Sequence, residues 1–575
     1  MKGIYIILFT VFFAALINTG CNKKLVEEPQ SILTPSFFAT TQGFQQGLDA
    51  AYAGTRLFWG NQTYFTLTVI GTDEFKRGID GNSNINIYSS GYDAQNGDVL
   101  ANWRNAYTFI NTCNGLIDNA DNVKDIPDAT KKRMIAEAKF LRANYYFILV
   151  QFHGDITLNK IFQSTPSTSA VRDPMSEAYK FIIQDLKDAI AALPAGPKTG
   201  GVLPGKVNAA VARHVLAKVY LTRAGSKAKE ANDYADAYTT ANDLINNRAA
   251  LGLSLLQDFG KVFEEGNERN SEVLWTSEHT SNLAFNGPNN SGVTNFSADN
   301  VLNHMWVGQY EKKEVAVLRS TLYGRPYIRC TPTLWLTETA FAERVNDTRY
   351  NKTFQTVWYA NSTNANDYPK WKSPLPPGAP AGAVVGQPKF KLGDTAIYMP
   401  GVNKTDAEIA ASTYLLIPPR KYDATLGPTM FKYFDTKRAN LNFPSIRPVI
   451  AYRLAETYLI AAEAAFMTGK ITEAVTLTNA VRERAAFPTG NAVSVRIQAS
   501  DLSIDFFLNE RTRELCGELV RWLDLVRTGK LIERVKAFNP EAAGNIQPKH
   551  ILRPIPQAQI DAVVTGEPYP QNAGW

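Results

Sequence analysis

The sequence predicts a mainly α protein of tetratricopeptide-like helical-hairpin repeats, with a large irregular, loop-rich insertion carrying short strands. Three observations lead there. Apolar residues recur at three and four along residues 129–153 (Met134, Ala138, Leu141, Tyr145, Leu149) and onward from 173 (Tyr179, Ile182, Ile183, Leu186, Ile190), the period of one helix face. The string Leu216-Ala217-x-x-Tyr220-Leu221 returns as Leu454-Ala455-x-x-Tyr458-Leu459, and Leu141-x-Ala143-x-Tyr145 is a looser copy. In each case a second helix follows, from Ala231, Thr472 and Asp173 respectively. Small Ala beside large Tyr lets one helix approach its neighbour while the ring fills the gap, so hairpins of this kind stack. Between residues 251 and 448, in contrast, Asn, Gly, Pro and Thr take over and the helical signal thins.

Taken in order, Lys2 precedes an apolar run from Ile4 to Ile17, too short to span a bilayer but suited to a signal-peptide core. It ends in Asn18-Thr19-Gly20-Cys21. Small residues before a Cys resemble a lipoprotein cleavage site, although Asn18 stands where Leu is more usual. Residues 1–20 are thus read as a signal peptide and 21–36 as a tether lipidated at Cys21. Acyl chains contribute about 0.8 kcal/mol per buried methylene, so several anchor a chain without a membrane-spanning helix.

Thr34-Pro35-Ser36 reads as a helix start and residues 37–58 as a helix. Residues 59–98 are rich in Gly, Asn, Asp, Ser and Tyr without a sustained period, which predicts a long loop. Its aromatics, Trp59, Tyr64, Phe65, Phe75 and Tyr88, argue that the loop is ordered. Helices are expected over 100–119, 129–153, from 173, over 205–224 and over 231–246. The segment from Glu272 to Thr276 reads as a strand, and Pro374 to Gly386 as an exposed loop.

Residues 510–529 read as one continuous helix, with Leu515, Leu519, Trp522 and Val526 on one stripe. Glu518 and Arg521, and Asp524 and Arg527, are spaced to pair across a turn. Every basic residue there is Arg, as suits fixed bidentate pairing, and the charges lie against Trp522 and Leu525. A partly buried ion-pair lattice that locks this helix into the fold is the expectation.

The order Glu510-Arg-x-Arg-Glu-Leu-x-x-Glu-x-x-Arg-Trp-x-Asp-Leu-x-Arg-x-Gly529 resembles the C-terminal signature of the SusD/RagB family, outer-membrane nutrient-binding lipoproteins of Bacteroidetes. Glu137-Ala-Lys-Phe-Leu-Arg-Ala-Asn-Tyr-Tyr-Phe followed by Gly154-Asp155, the pair Asp347-x-Arg349, and the endings Ile551-Leu-Arg-Pro-Ile-Pro and Pro570-Gln-Asn-Ala-Gly-Trp575 are also similar to it. Thr157 stands near where the family often has Pro. The resulting division is an N-terminal helical-repeat region, 37–250, an irregular ligand-facing region, 251–447, and a C-terminal helical region, 448–575. The two helical regions are expected to form one compact unit.

The formal charge of +6 on 575 residues is a mild bias, and no Lys/Arg run with interleaved aromatics points to nucleic acid. His153, His214, His279, His304 and His550 lack metal-ligand spacing. Cys113, Cys330 and Cys516 form no CxxC pair and read as buried thiols. No nucleophile elbow or phosphate-cradling loop is present. An enzyme is therefore not expected, no cofactor is implied, and the sequence does not decide whether a cation binds.

Sugars present apolar ring faces rimmed by hydroxyls, so their sites combine aromatic platforms with Asn, Asp, Gln or Arg. Residues 59–98 and 306–371 supply that mixture. The residues singled out are Trp59, Trp306 and Tyr323 as platforms, with Asp73 and Arg77 as polar partners. The resemblance implies a non-catalytic surface lipoprotein that captures an oligosaccharide and passes it to a SusC-like TonB-dependent transporter. Peptide capture, as in RagB-like members, and a helical-repeat scaffold for another protein are the alternatives.

Overall fold

A computed structural model describes residues 34–198, 202–280, 282 and 299–575. The expected signal peptide and the lipidation expected at Cys21 fall outside the described residues. Thr34 does start a helix, its hydroxyl accepting from Phe37 N at the head of Pro35–Phe38. The helix expected over 37–58 is instead three pieces: that turn, α1 (Thr41–Ala53), and a 3₁₀ turn, Gly54–Leu57. The segment 59–98 is less irregular than its composition implies, carrying α2 (Gln62–Thr68), β1 (Phe75–Arg77) and a short helix, Ser83–Ile87.

The repeat reading holds. Helix α4 (Asp128–His153) pairs with α5 (Met175–Ala192), α6 (Ala209–Ala224) with α7 (Asp233–Asn246), and α8 (Leu454–Met467) with α9 (Ile471–Ala485). Helix α3 (Gly97–Asn119) packs on the open side of α4, and α7 packs on α8, so the third hairpin extends the stack although it comes from the far end of the sequence. The small positions do what their size allows: Ala143, Ala217 and Ala455 are wholly buried where helices meet. The neighbouring Tyr145 is buried too, and its hydroxyl donates to Ala51 O at 2.7 Å. Asn208 caps α6 by accepting from Val211 N at 3.1 Å, and Gly469, at φ +76°, makes the turn from α8 into α9 at no steric cost.

Short strands stitch the irregular middle to both ends. Strand β2 (Val273–Ser277) is antiparallel to β9 (Val449–Arg453), which runs directly into α8. Strand β3 (Cys330–Pro332) pairs with β1, β4 (Phe354–Gln355) with β8 (Thr429–Met430), and β5 (Val357–Tyr359), β6 (Thr395–Tyr398) and β7 (Leu415–Leu416) form a small sheet. That sheet covers a separate apolar cluster containing Val307, Tyr310, Tyr323 and Trp358, whereas one large cluster runs through the helical stack. Each large apolar side chain buried there contributes roughly 1.5–3 kcal/mol.

The single helix expected over 510–529 is not continuous. Helix α10 (Ile504–Leu515) stops, Gly517 and Leu519 take positive φ (+76° and +61°), and α11 (Arg521–Arg527) starts again, followed by α12 (Leu531–Phe538). The break re-aims the charges, so Glu518 and Arg521 do not pair. Glu518 accepts from Lys432 and Arg453, while Arg521 turns to Asp73. Asp524 and Arg527 do pair, at 3.0 Å.

The lattice itself is present and fully buried. Glu514 accepts from Arg349 at 3.0 Å, from Arg453 at 2.6 Å and from Arg484. Arg349 also grips Asp347 and Glu510, and Glu272, just before β2, accepts from Arg453 and Arg484. Ion pairs this deep add little net stability, because desolvation offsets their attraction; their effect is to specify which partners fit. Here they key β2, β9, α9 and α10 to one another. Cys113, Cys330 and Cys516 are free and buried, as expected.

Candidate functional site

Two segments far apart in sequence are brought together by the β1–β3 ladder, which aligns Phe75 with Pro332, Lys76 with Thr331 and Arg77 with Cys330. Beyond the ladder, the turn 78–82 lies against residues 325–329. Gly78 N donates to Arg329 O at 3.0 Å, and Asp80 N to Ile328 O at 3.2 Å. The approach is close enough to require glycine: a Cβ on Gly78 would sit 2.2 Å from Ile328 O, and one on Gly81 2.2 Å from Arg329 O. Ile328 is held at φ +51°, a region a β-branched residue occupies only when its surroundings force it. The result is a surface formed by both loop regions whose composition suggested binding.

The segment is anchored from behind. Asp73 accepts from Arg521 Nε at 2.7 Å and from Arg534 Nε at 2.6 Å. Burial opposes its ionised form, but the two guanidiniums hold its carboxyl below the usual range. Glu541 takes Lys76 Nζ at 2.9 Å and Asn86 Nδ2 at 2.8 Å, and Asn86 in turn accepts from Arg77 N. The C-terminal segment closes the rear, where Arg553 donates to Tyr92 Oη and lies 4.1 Å over the Trp522 ring.

On the outer side, Tyr327 is packed between cations and a second ring. The Arg325 and Arg329 guanidiniums lie 4.9 and 5.2 Å from its centroid, and the His304 ring 4.7 Å away. Arg329 Nε donates to Gln62 Oε1 at 2.9 Å, and its Nη1 to the Asp80 and Tyr327 carbonyls. Burial pulls the Arg329 pKa down. Burial also lowers His304, with Arg438 and Arg325 adding to the effect, to about 3, so it is neutral. Asn82 and Thr63 both donate to Asp98, which burial nonetheless pushes up. Half-buried Arg77, Asn82, Arg325 and Arg329, with exposed Asp80 and Ile79, form the accessible surface. It offers planar, aromatic-backed guanidiniums and amide groups, a set that hydrogen-bonds hydroxyls and anions and covers the flat face of a ring.

The structure places the five residues singled out from sequence differently from one another. Trp59, Trp306 and Tyr323 are 5, 4 and 3 % exposed, and the expectation that they act as open platforms is corrected. Trp59 packs edge-on to Trp275 and Tyr452. Trp306 stacks on Tyr433 and meets the edges of Phe65 and Phe75. Tyr323 fills the cluster beneath the small sheet, its hydroxyl accepting from Tyr359 N. Asp73, fully buried, is the anchor of the site and not its surface. Arg77 alone lies at the surface of the candidate site. Sequence reasoning missed Tyr327, Arg325, Arg329 and Gln62. Their signal was available in the crowding of Arg325-Pro-Tyr-Ile-Arg329 opposite Gly78-Ile-Asp-Gly81, had the pairing of the two segments been known.

Deeper clefts lie elsewhere. One of about 430 Å³ is lined by Asp49, Arg133, Glu137 and Lys206, but its buried carboxylate, Glu137, is already bonded by Tyr52 and Arg133. No group of three or more metal-binding side chains occurs among the described residues, and none of their helices is long and apolar enough to cross a membrane.

Residues 259–575 match the family model described as SusD family, and residues 32–221 one described as starch-binding, associating with outer membrane. The SusD-like protein P2 of Formosa agariphila is 28% identical over 590 residues, covering 99% of each chain. Among solved structures, a SusD homolog from Bacteroides thetaiotaomicron superposes with a TM-score of 0.69 at 21% identity, covering 93% of this chain and 97% of that one. Surface glycan-binding protein A from the same species, in complex with laminarihexaose, superposes with a TM-score of 0.63 at 18% identity, covering 93% and 99%.

Proposed function

The chain belongs to the SusD family, and from that premise we propose that it is a non-catalytic, outer-membrane-associated protein that captures an oligosaccharide. The face formed by residues 77–82 and 325–329 is where the sugar binds. The observation that carries this reading is the β1–β3 pairing, which joins the two polar, aromatic-rich segments into one rigid surface. Support for a carbohydrate ligand comes from the relative solved with laminarihexaose and from the starch-binding description of the N-terminal match. The outer-membrane association in that description supports the location. In this reading Cys21 carries the lipid, and the captured sugar passes to a SusC-like TonB-dependent transporter. Trp59, Trp306, Tyr323 and Asp73 act by holding the surface in shape, and Arg77 touches the ligand.

Calorimetry of the purified protein against neutral and charged oligosaccharides, with a peptide panel alongside, tests the proposal. Saturable binding of at least one oligosaccharide, unaccompanied by its hydrolysis, is the expected result. Binding of peptides but no saccharide, or turnover of a saccharide, contradicts it. Isolation of the protein from membranes without a SusC-like partner contradicts the delivery step alone.

A further inference from the structure

Most arginines that reach the surface of this molecule have a carboxylate partner. Arg319 pairs with Glu311, Arg269 with Glu278, Arg420 with Asp406 and Arg496 with Glu483. The candidate face departs from this pattern. Arg325 contacts the Tyr327 ring, and Arg329 binds Gln62 and two backbone carbonyls. Arg438, behind His304, is likewise satisfied by the carbonyls of Asp435, Leu441 and Phe443. Among the described residues no carboxylate lies within ion-pair distance of Arg77, Arg325, Arg329 or Arg438.

Four arginines thus gather near four carboxylates, Asp80, Asp98, Asp435 and Glu265. Three of these are committed: Asp98 to Asn82 and Thr63, Asp435 to Ser445 and Ile446 N, and Glu265 to Thr436. Asp80 is the exposed one, and its reach is to Arg329. Guanidiniums held close together repel one another, and Arg325 and Arg329 share one aromatic ring; elsewhere Arg344, over the Tyr350 ring and bonded to the Phe341, Pro400 and Gly401 carbonyls, is likewise without a carboxylate partner among the described residues. Arg325 and Arg329 also lie against one aromatic ring, and the Nη2 of Arg329 is left over after its Nε and Nη1 bond Gln62 and two backbone carbonyls. That arrangement is pre-organised for a bidentate anion.

We propose that the oligosaccharide bound at this face is an anionic one, its carboxylate or sulfate groups received by Arg325 and Arg329. The inference rests on the carbohydrate reading above and narrows it from sugars in general to uronate-containing or sulfated sugars. A ring between charged groups covers the guanidinium plates, while its anionic substituent takes their outward N–H donors. Arg438 supplies positive potential from behind, without direct contact. In such a pair the attraction is screened by salt, so affinity depends on ionic strength in a way that binding of a neutral glycan does not.

The test is calorimetry of the whole protein with oligogalacturonate, oligoalginate and a sulfated galactan oligosaccharide, each beside its carboxyl-reduced or desulfated counterpart, and with laminarihexaose as a neutral reference. At least one anionic sugar is expected to bind ten-fold or more tightly than its neutralised counterpart, and to weaken as NaCl rises from about 50 to about 500 mM. Whether uronate or sulfate is preferred identifies the source of the charge. Arg325→Gln should reduce that affinity ten-fold or more with unchanged melting temperature, since this side chain makes no hydrogen bond among the described residues. Arg325→Lys, which keeps the charge but not the fork, should lose less. Equal affinity for the charged and neutralised sugars, or an Arg325→Gln protein that binds as well as the parent, overturns the inference while leaving carbohydrate capture standing. Absence of binding to every sugar, laminarihexaose included, overturns both.

Discussion

Glu514 illustrates how single residues divide the work in this protein. Burial disfavours its charge, yet Arg484, Arg453 and Arg349 outweigh that and hold its pKa at about 2. Removing one member of such a set strands the others without compensation, which costs roughly 3–5 kcal/mol. Glu514→Gln should therefore lower unfolding stability by about that much in denaturant titration at neutral pH, and a loss below about 1 kcal/mol would show that solvent compensates the guanidiniums. Because the folded pKa is depressed, this contribution is present above the unfolded value and is lost as pH falls from 4.5 towards 2. Glu74 works in the opposite direction. Burial raises it to about 7, against the pull of Arg521, so the folded state binds its proton more tightly than the unfolded state does. Its contribution is present below pH 4.5 and is lost as pH rises through about 7. Glu74→Gln should remove that decline and stabilise the protein above pH 7 by up to about 3 kcal/mol. A stability–pH profile between 4.5 and 8 that is unchanged by the substitution would contradict the assignment. Trp306 belongs at this scale too. Its ring is enclosed by Phe65, Phe75 and Tyr433, so Trp306→Ala should cost about 3–5 kcal/mol of stability. Any effect on ligand affinity should be secondary to that loss. The sequence showed that these aromatics were abundant. It did not show which ones face inward, because burial is decided by what packs on a residue from elsewhere in the chain.

At the scale of elements, the helical hairpins were legible and the break between α10 and α11 was not. The hairpins announce themselves because a buried helix face must recur at three and four, and because the Ala/Tyr positions repeat. The break is concealed by the same logic: Leu515, Leu519 and Trp522 satisfy helical spacing whether or not the helix continues. What ends it is local crowding. A Cβ on Gly517 would lie 2.3 Å from Met430 Sδ and 3.2 Å from the Trp306 ring. Gly529 also has positive φ, but open space around it. Gly529→Ala should therefore cost only the backbone strain, about 1 kcal/mol, while Gly517→Ala should cost that and the displacement of Met430, about 2–4 kcal/mol. Equal melting temperatures for the two variants would count against the break as a packing-determined feature. The consequence of the break is functional geometry, since it turns Arg521 towards Asp73 and so fixes the base of β1.

For the molecule as a whole, the stack of hairpins and the buried charges form a rigid support, and β1 with β3 presents the candidate surface on it. This long-range pairing was beyond reach of periodicity, because strands three residues long carry no repeat and Lys76 finds its partner only at Thr331. Composition identified both segments as unusual, and the family signature identified the class, but only the fold shows that they meet. The most direct measurement is hydrogen–deuterium exchange of the protein with and without a saturating oligosaccharide. Slowed exchange confined to residues 76–82 and 325–330 is the result expected. Slowed exchange on the helical hairpins around Gln151 and Thr222, with those two segments unchanged, would contradict the placement of the binding surface.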